Sequence, residues 1–160
     1  MRHHKIIVLG PCCKLNKRTG LIHAPFAAES RSGKFLRMIL KLNQIDEGDI
    51  EFDNIISTAV FDESGKECNP TVDQLVPALV AHRIWKEADV IIALSASVRT
   101  AFEMTKRVEP HISKPTIHFL AHPSYVLRRP QIERSAFVRD FTAALLAPAS
   151  SPPRVAKRLH

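Results

Sequence analysis

Hydrophobic residues follow two different spacings along the chain. Continuous apolar runs of strand length occupy residues 5–10, 52–60, 88–95 and 116–121. Runs of this kind are typical of strands that are buried on both faces. Apolar residues recur at helical intervals in residues 33–44, 71–85, 97–105 and 137–146. The pattern therefore predicts four strands that alternate with four helices.

Polar residues at the predicted helix starts support this assignment. Ser32 can cap the helix that starts at Gly33, and Ser97 can cap the helix that follows the third strand. Thr71 and Gln74 have the spacing of a capping box, in which each side chain bonds the backbone of the other residue. Three of the four predicted helices thus begin at a residue suited to that position.

Strands that alternate with helices favour a parallel sheet with helices on both faces. We therefore expect an α/β fold of three layers, α/β/α, around a four-stranded parallel sheet. Residues 1–147 are expected to form a single domain. The remaining segment, residues 148–160, is rich in Pro and Ser and then basic, and we expect it to be disordered.

The loops after three of the predicted strands carry most of the candidate chemistry. They are residues 10–32, 61–70 and 122–130. Parallel sheets bind their ligands at the carboxyl ends of their strands, so these loops are expected to share one edge. Residues 11–32 form a long segment without periodicity, which is typical of a functional loop.

Composition limits the class of protein. With 160 residues, of which 45% are hydrophobic and 24% charged, the chain can bury a core and is expected to be a soluble globular domain. No apolar run approaches the roughly 20 residues that cross a membrane, and residues 6–9 are too short for a signal peptide. We expect a cytoplasmic or nucleoid-associated protein.

The formal charge of +7 favours a polyanionic partner such as nucleic acid, although a basic surface without a partner remains an alternative. The cysteines are Cys12, Cys13 and Cys68, an odd number with two adjacent, which argues against a disulfide framework and for a reducing compartment. No Cys-x-x-Cys pair exists and the eight histidines are scattered, so we expect no metal site and no cofactor.

The ordered loops and strands resemble the uracil-DNA glycosylase superfamily, and more closely its branch that often carries an iron–sulfur cluster. In the first half, the matching segments are Val8-Leu-Gly10, Pro25-Phe26, Ser32-Gly33 and residues 36–40. In the second half, they are residues 55–60, Asn69-Pro70-Thr71, residues 90–95 and His122-Pro123-Ser124-Tyr-Val-Leu127-Arg128. The order and spacing hold from about residue 5 to residue 145.

The resemblance implies a domain that flips uracil, or a related deaminated base, out of DNA and hydrolyses its N-glycosidic bond in base excision repair. We expect the protein to be a monomer and to have no membrane partner. Such a site needs an aromatic platform, a polar reader of the base edge and a wedge for the gap in the DNA. Phe26 matches the stacking aromatic. His122 matches the histidine that hydrogen-bonds the uracil carbonyl as negative charge develops on it.

The resemblance also implies roles for further residues. The base would contact the segment after the first strand, Gly10, Pro11 and Cys12, and its edge would be read by Thr58 with Ser57 beside it. A DNA phosphate would be held by Ser124, and the wedge would come from Tyr125, Val126 or Leu127. The remaining expected DNA contacts are the basic residues Arg128, Arg129 and Lys14.

The chain departs from the family pattern in three ways. The carboxylate, or sometimes Asn, that positions water after the first strand is missing, because no Asp or Glu lies between Gly10 and Ala28. Asn16 and Glu29 are the nearest polar substitutes, and we take Asn16 as the candidate catalytic residue. The Asn that reads uracil is replaced by Thr58 in this alignment, and the cysteines that ligate the cluster are absent.

Three functions are compatible with these observations. The first is a divergent glycosylase that acts on uracil or a related base. The second is a catalytically silent family member that binds DNA or damaged bases without excision. The third is an unrelated doubly wound nucleotide-binding domain, which is disfavoured because no Gly-rich phosphate loop follows the first strand.

Overall fold

A computed structural model describes residues 4–109 and 115–147. In chain order the strands are β1 (Ile6–Cys12), β2 (Ile50–Ile56), β3 (Val60–Phe61), β4 (Glu67–Cys68), β5 (Val90–Leu94) and β6 (Thr116–Leu120). The helices are α1 (Arg31–Leu42), α2 (Val72–Val80), α3 (Ile84–Glu87), α4 (Ala96–Val108), α5 (Pro123–Val126) and α6 (Gln131–Leu146). A short 3₁₀ helix, Glu47–Asp49, precedes β2.

Four strands form one parallel sheet in the order β2-β1-β5-β6. Successive side chains of a strand point to opposite faces, so β1 contributes to two separate cores. Val8 packs with α1, α5 and α6 on one face, whereas Ile7 and Leu9 pack with α2, α3 and α4 on the other. The three-layer α/β/α fold with a four-stranded parallel sheet is therefore confirmed.

Element boundaries differ from the sequence-based prediction in the second quarter of the chain. The predicted strand over residues 52–60 is shifted, because β2 ends at Ile56 and the following residues form the antiparallel hairpin β3–β4. The predicted helix over residues 71–85 is broken after Val80. His82 lies in the break, where its Nδ1 accepts a hydrogen bond from the backbone N–H of Ile84 and starts α3.

Other boundaries shift by a few residues. The N-cap of α1 is Ser30 instead of Ser32, and that of α4 is Ser95 instead of Ser97. The capping box of Thr71 and Gln74 at the start of α2 is present as predicted. Helix α6 begins six residues before the predicted start, and the predicted tail of residues 148–160 lies outside the described residues.

The first turn of α1 lies directly against the segment that carries Phe26. A Cβ atom on Gly33 would be 1.9 Å from the carbonyl oxygen of Ala27, so only glycine allows this approach. The Oγ of Ser30 accepts a hydrogen bond from the N–H of Gly33 at 2.9 Å and fixes the same turn. Helix α1 thus sets the position of Phe26 above the end of β1.

None of the described helices is long and apolar enough to cross a membrane.

Candidate active site

A cavity of about 900 Å³ opens at the carboxyl ends of the sheet strands. Its walls come from five parts of the chain: the loop after β1, strand β2, the loop after β4, the start of α4, and the end of β6 with the segment that follows it. Representative lining residues are Lys14, Phe26, Asn54, Ser95 and His122. Loops that are distant in sequence therefore meet at the edge where parallel sheets bind ligands.

The inner end of this site is built around Gly10. Strands β1 and β2 pair Gly10 with Asn54. A Cβ atom on Gly10 would lie 2.6 Å from Oδ1 of Asn54 and 2.8 Å from Cζ of Phe26. The phenyl ring and the amide are thus brought together over a backbone position that leaves no room for a side chain.

Asn54 is a polar residue in an otherwise apolar environment, with 6% of its surface exposed. Its Nδ2 donates to Sγ of Cys13 at 3.3 Å, and its backbone carbonyl contacts Nε2 of His82 at 3.0 Å. Since Nδ1 of His82 accepts from a backbone N–H, Nε2 carries the proton and donates to that carbonyl. No other described residue hydrogen-bonds Oδ1 of Asn54, so this acceptor is available to a ligand.

Phe26 is held by contacts on several sides. Its backbone has φ of 46°, a left-handed conformation that is uncommon for a bulky residue. Its carbonyl accepts a hydrogen bond from Nη1 of Arg37, whose guanidinium also lies over the ring of Phe52. The Phe26 ring centroid is 6.0 Å from that of Phe52 and 5.7 Å from that of His122. The ring is therefore fixed before any ligand binds.

His122 caps α5 with its side chain. Its Nδ1 accepts a hydrogen bond from the backbone N–H of Ser124 at 3.1 Å and lies 2.7 Å from Oγ of the same residue. Burial, and then the positive charges of Lys14 and Arg128, lower the pKa of His122 to about 4. The imidazole is thus neutral near pH 7, and its proton is on Nε2, where it can be donated.

The residues that line the cavity carry positive charge and no carboxylate. The cations are Lys14, Arg99 and Arg128. Nζ of Lys14 donates to Oδ1 of Asn69 at 2.8 Å, which fixes it beside the loop after β4. Such a wall is suited to a polyanion and to negative charge that develops on a bound group.

The protein-family model described as the Uracil DNA glycosylase superfamily matches residues 6–146 of this chain. The chain belongs to the uracil DNA glycosylase superfamily. The match covers β1 to α6, and therefore every loop that forms the cavity. A comparison with curated proteins found no match.

The structure brings together most of the site residues that the sequence suggested for this uracil DNA glycosylase family member. Those that line the cavity are Pro11, Cys12, Lys14, Phe26, His122, Ser124, Tyr125 and Arg128. Those that do not line it are Asn16, Ser57, Thr58, Leu127 and Arg129. Gly10 lies behind the wall, in contact with Phe26 and Asn54.

The placement of Ser57 and Thr58 at the base edge is not supported by the structure. Both are exposed and lie beyond the end of β2, because that strand ends at Ile56. Asn54, which belongs to the same strand, lines the cavity instead. The sequence did contain a signal for it, since Asn54 interrupts the apolar pattern of β2 opposite Gly10.

Asn16 is also separated from the cavity. Residues Leu15 and Ile22 form a bridge, and Oδ1 of Asn16 accepts from the N–H of Arg18 at 2.9 Å within the turn between them. The side chain therefore stabilises a hairpin turn. Glu29, the other polar substitute, is exposed and contacts His23, which lines the cavity. A lone histidine in an irregular loop gave no sequence signal for this contact.

The segment after β6 divides into a buried and an exposed part. Val126 is 4% exposed and belongs to the core, so it is unavailable as a wedge, whereas Tyr125 is 52% exposed. Arg129 binds Glu133 through two hydrogen bonds of 2.8 and 3.0 Å. Arg128 donates from Nε to the carbonyl of Ser124 and faces the cavity.

The thiols of the site are buried, and burial raises the pKa of Cys12, which favours its neutral form. Within residues 4–109 and 115–147, no group of three or more His, Cys, Asp or Glu side chains is arranged to hold a metal ion.

The contacts of Gly10 generate a prediction about stability. Gly10→Ala should lower the free energy of unfolding by about 1–3 kcal/mol, the usual cost of overpacking, because Phe26 or Asn54 must move. Urea denaturation measures this change.

Gly48→Ala is the matched control, since its Cβ would meet Oδ1 of Asp46 at an ordinary 3.4 Å. Equal effects of the two substitutions would contradict the close packing around Gly10.

Proposed function

We propose that this protein hydrolyses the N-glycosidic bond of uracil, or of a related deaminated base, flipped out of DNA. The observation that carries the proposal is the convergence of Phe26, Asn54 and His122 on one cationic cavity in a chain of this superfamily. An aromatic platform, a polar reader and a hydrogen-bond donor are the groups that capture of a flipped base requires.

Asn54 is suited to read the uracil edge. Uracil offers a donor at N3 and an acceptor at O4, and a carboxamide offers the complementary pair. Because Nδ2 already donates one hydrogen to Cys13, Oδ1 is left to accept from N3–H and the second Nδ2 hydrogen can reach O4. Cytosine lacks the N3 hydrogen, so this orientation of the amide favours uracil.

His122 is suited to stabilise the departing base. Cleavage leaves the electron pair of the glycosidic bond on the base, and negative charge develops on a carbonyl oxygen. The imidazole of His122 is neutral and carries its hydrogen on Nε2, so it can donate a hydrogen bond to that oxygen. Lys14 and Arg128 add a favourable positive field.

One observation favours the silent-binder alternative: no carboxylate lines the cavity, although the superfamily reaction consumes a water molecule. A protein of that kind would bind uracil-containing DNA through the same residues and release no base. The excision assay below separates the two functions.

The first test is excision of uracil from single- and double-stranded oligonucleotides under single-turnover conditions. We expect His122→Ala to lower the rate on the order of 10² or more, the scale for losing one donor to a developing anion. His122→Asn, which retains an acceptor for the α5 cap, should lower it as well.

If both His122 variants excise uracil as fast as the wild type, the role assigned to His122 is contradicted. Binding of uracil-containing DNA by the wild type without release of any base would establish the silent binder instead.

The second test compares two candidate readers of the base edge. Asn54→Ala should lower kcat/KM on uracil about 10- to 100-fold, since losing a buried hydrogen-bond partner costs about 1–3 kcal/mol. Thr58→Ala should leave kcat/KM unchanged, because Thr58 is exposed outside the cavity. The reverse order of effects would restore the assignment made from sequence.

The third test concerns DNA contacts. Arg128→Ala should reduce the slope of log affinity against log salt by about 0.9 on duplex DNA, the loss of one phosphate contact. The double variant Arg129→Ala with Glu133→Ala removes a paired cation and anion, so its slope should stay unchanged.

A flattened slope in the double variant with none in Arg128→Ala would move the phosphate contact from Arg128 to Arg129, in the turn before α6.

A further inference from the structure

The water molecule of the proposed reaction needs a base, and the cavity wall offers few. Among the described residues no Asp or Glu lines it, His122 is neutral and its Nε2 is a donor, and burial keeps the thiol of Cys12 protonated. The other imidazole that these residues place on the wall is that of His23, whose side chain is 28% exposed. His23 is therefore a candidate acceptor for the proton of the water molecule.

The backbone places His23 beside the segment that follows β1. Its N–H donates to the carbonyl of Lys14 at 2.8 Å, and the bridge between Leu15 and Ile22 continues the same pairing. The N–H of Leu15 is in turn bound by the Glu67 carboxylate at 2.8 Å, which ties the pair to β4. His23 thus lies beside Lys14, at the end of the segment of residues 10–14, which carries no acidic residue.

A carboxylate orients the ring. Nδ1 of His23 is 3.5 Å from Oε1 of Glu29, at ion-pair distance. A carboxylate on this side favours the tautomer with hydrogen on Nδ1, which leaves the lone pair of Nε2 free to accept a proton. The arrangement has the parts of a general base with its orienting partner, and both parts come from the loop between β1 and α1.

We propose that His23, oriented by Glu29, is the general base that activates water for glycosidic hydrolysis in this cavity. The inference rests on the proposed function. As water oxygen bonds to C1′ of the sugar, the C1′–N bond breaks and its electron pair leaves with the base. Nε2 of His23 takes the water proton, and Nε2–H of His122 hydrogen-bonds the carbonyl of the departing base. The products are an abasic sugar and the free base.

Both histidines act as neutral imidazoles, His23 as the acceptor of a proton and His122 as the donor of a hydrogen bond. His23 must be neutral to act, so acid should inactivate it, whereas His122 remains neutral down to a pH of about 4. The carboxylate of Glu29 contacts His23, and the other titratable or charged residues that line the same cavity are Lys14, Arg99, Arg128, His122, Tyr125, Cys12 and Cys13.

The test is a pH profile of single-turnover excision with enzyme at saturation. Wild-type rates should fall on acidification. His23→Gln should lower the rate at pH 8 on the order of 10² and should remove that dependence, because general-base catalysis contributes roughly 10²–10⁴. Glu29→Gln should lower the rate less and keep the dependence, since the imidazole remains.

Glu63→Gln is the matched control for Glu29→Gln, because Glu63 is an exposed carboxylate in the β3–β4 loop away from the cavity. Affinity for an oligonucleotide with 2′-fluoro-deoxyuridine, which resists cleavage, should be the same for wild type and His23→Gln. A variant that binds with normal affinity but cleaves slowly has lost catalytic activity while retaining its fold.

Two results would overturn the inference. An active wild type whose rate and pH profile are unchanged in His23→Gln would exclude His23 as the base. A His23→Gln variant with weakened binding and an unchanged pH profile would reduce His23 to a structural residue. Failure of the proposed function looks different, since the wild type itself would then release no base at any pH.

Discussion

The site depends on the close approach of an aromatic ring and a carboxamide to Gly10 at the end of β1. The parallel register sets Asn54 opposite this glycine, and the turn before α1 brings Phe26 over it. Gly33 allows that turn to contact the helix, and Arg37 holds its carbonyl. Because these contacts leave no room for a side chain at Gly10 or Gly33, the position of the Phe26 ring follows from the packing of the sheet and α1.

The electrostatics of the cavity wall also suit the proposed reaction. The cavity wall combines the cations Lys14, Arg99 and Arg128 with an imidazole, His122, that burial keeps neutral. A neutral donor surrounded by positive charge suits a reaction in which a neutral base departs as an anion. The same cations suit the phosphates of DNA, so in the proposed function one field would serve both binding and chemistry.

The sequence predicted the fold well because its signals are strong where both faces of a strand are buried. The apolar runs of β1, β5 and β6 were found within two residues, and the capping box of Thr71 marked the start of α2. Predictions failed where long-range contacts override local pattern. The predicted helix over residues 71–85 is broken at His82, whose Nε2 binds the carbonyl of Asn54. Strand β2 ends before the predicted position, and the hairpin β3–β4 follows it.

The candidate site was predicted in part for the same reason. Phe26 and His122 stand in local motifs, so the sequence alone pointed to them. Asn54 was not suggested by the sequence, because the predicted strand ran to residue 60, whereas β2 ends at Ile56 and leaves Thr58 outside the cavity. His23 had no local signature, since its place beside Lys14 and Glu29 follows from the folded loop alone.

The central claim is that the Asn54 amide beside Gly10 and Phe26 receives a flipped uracil, and NMR of that amide tests it most directly. An oligonucleotide with one 2′-fluoro-deoxyuridine should shift the Nδ2 resonances of Asn54, assigned by their loss in Asn54→Ala. The same oligonucleotide with cytosine at that position, which lacks the N3 hydrogen, should shift them less. Saturating uracil-containing DNA that leaves these resonances unmoved would contradict the account.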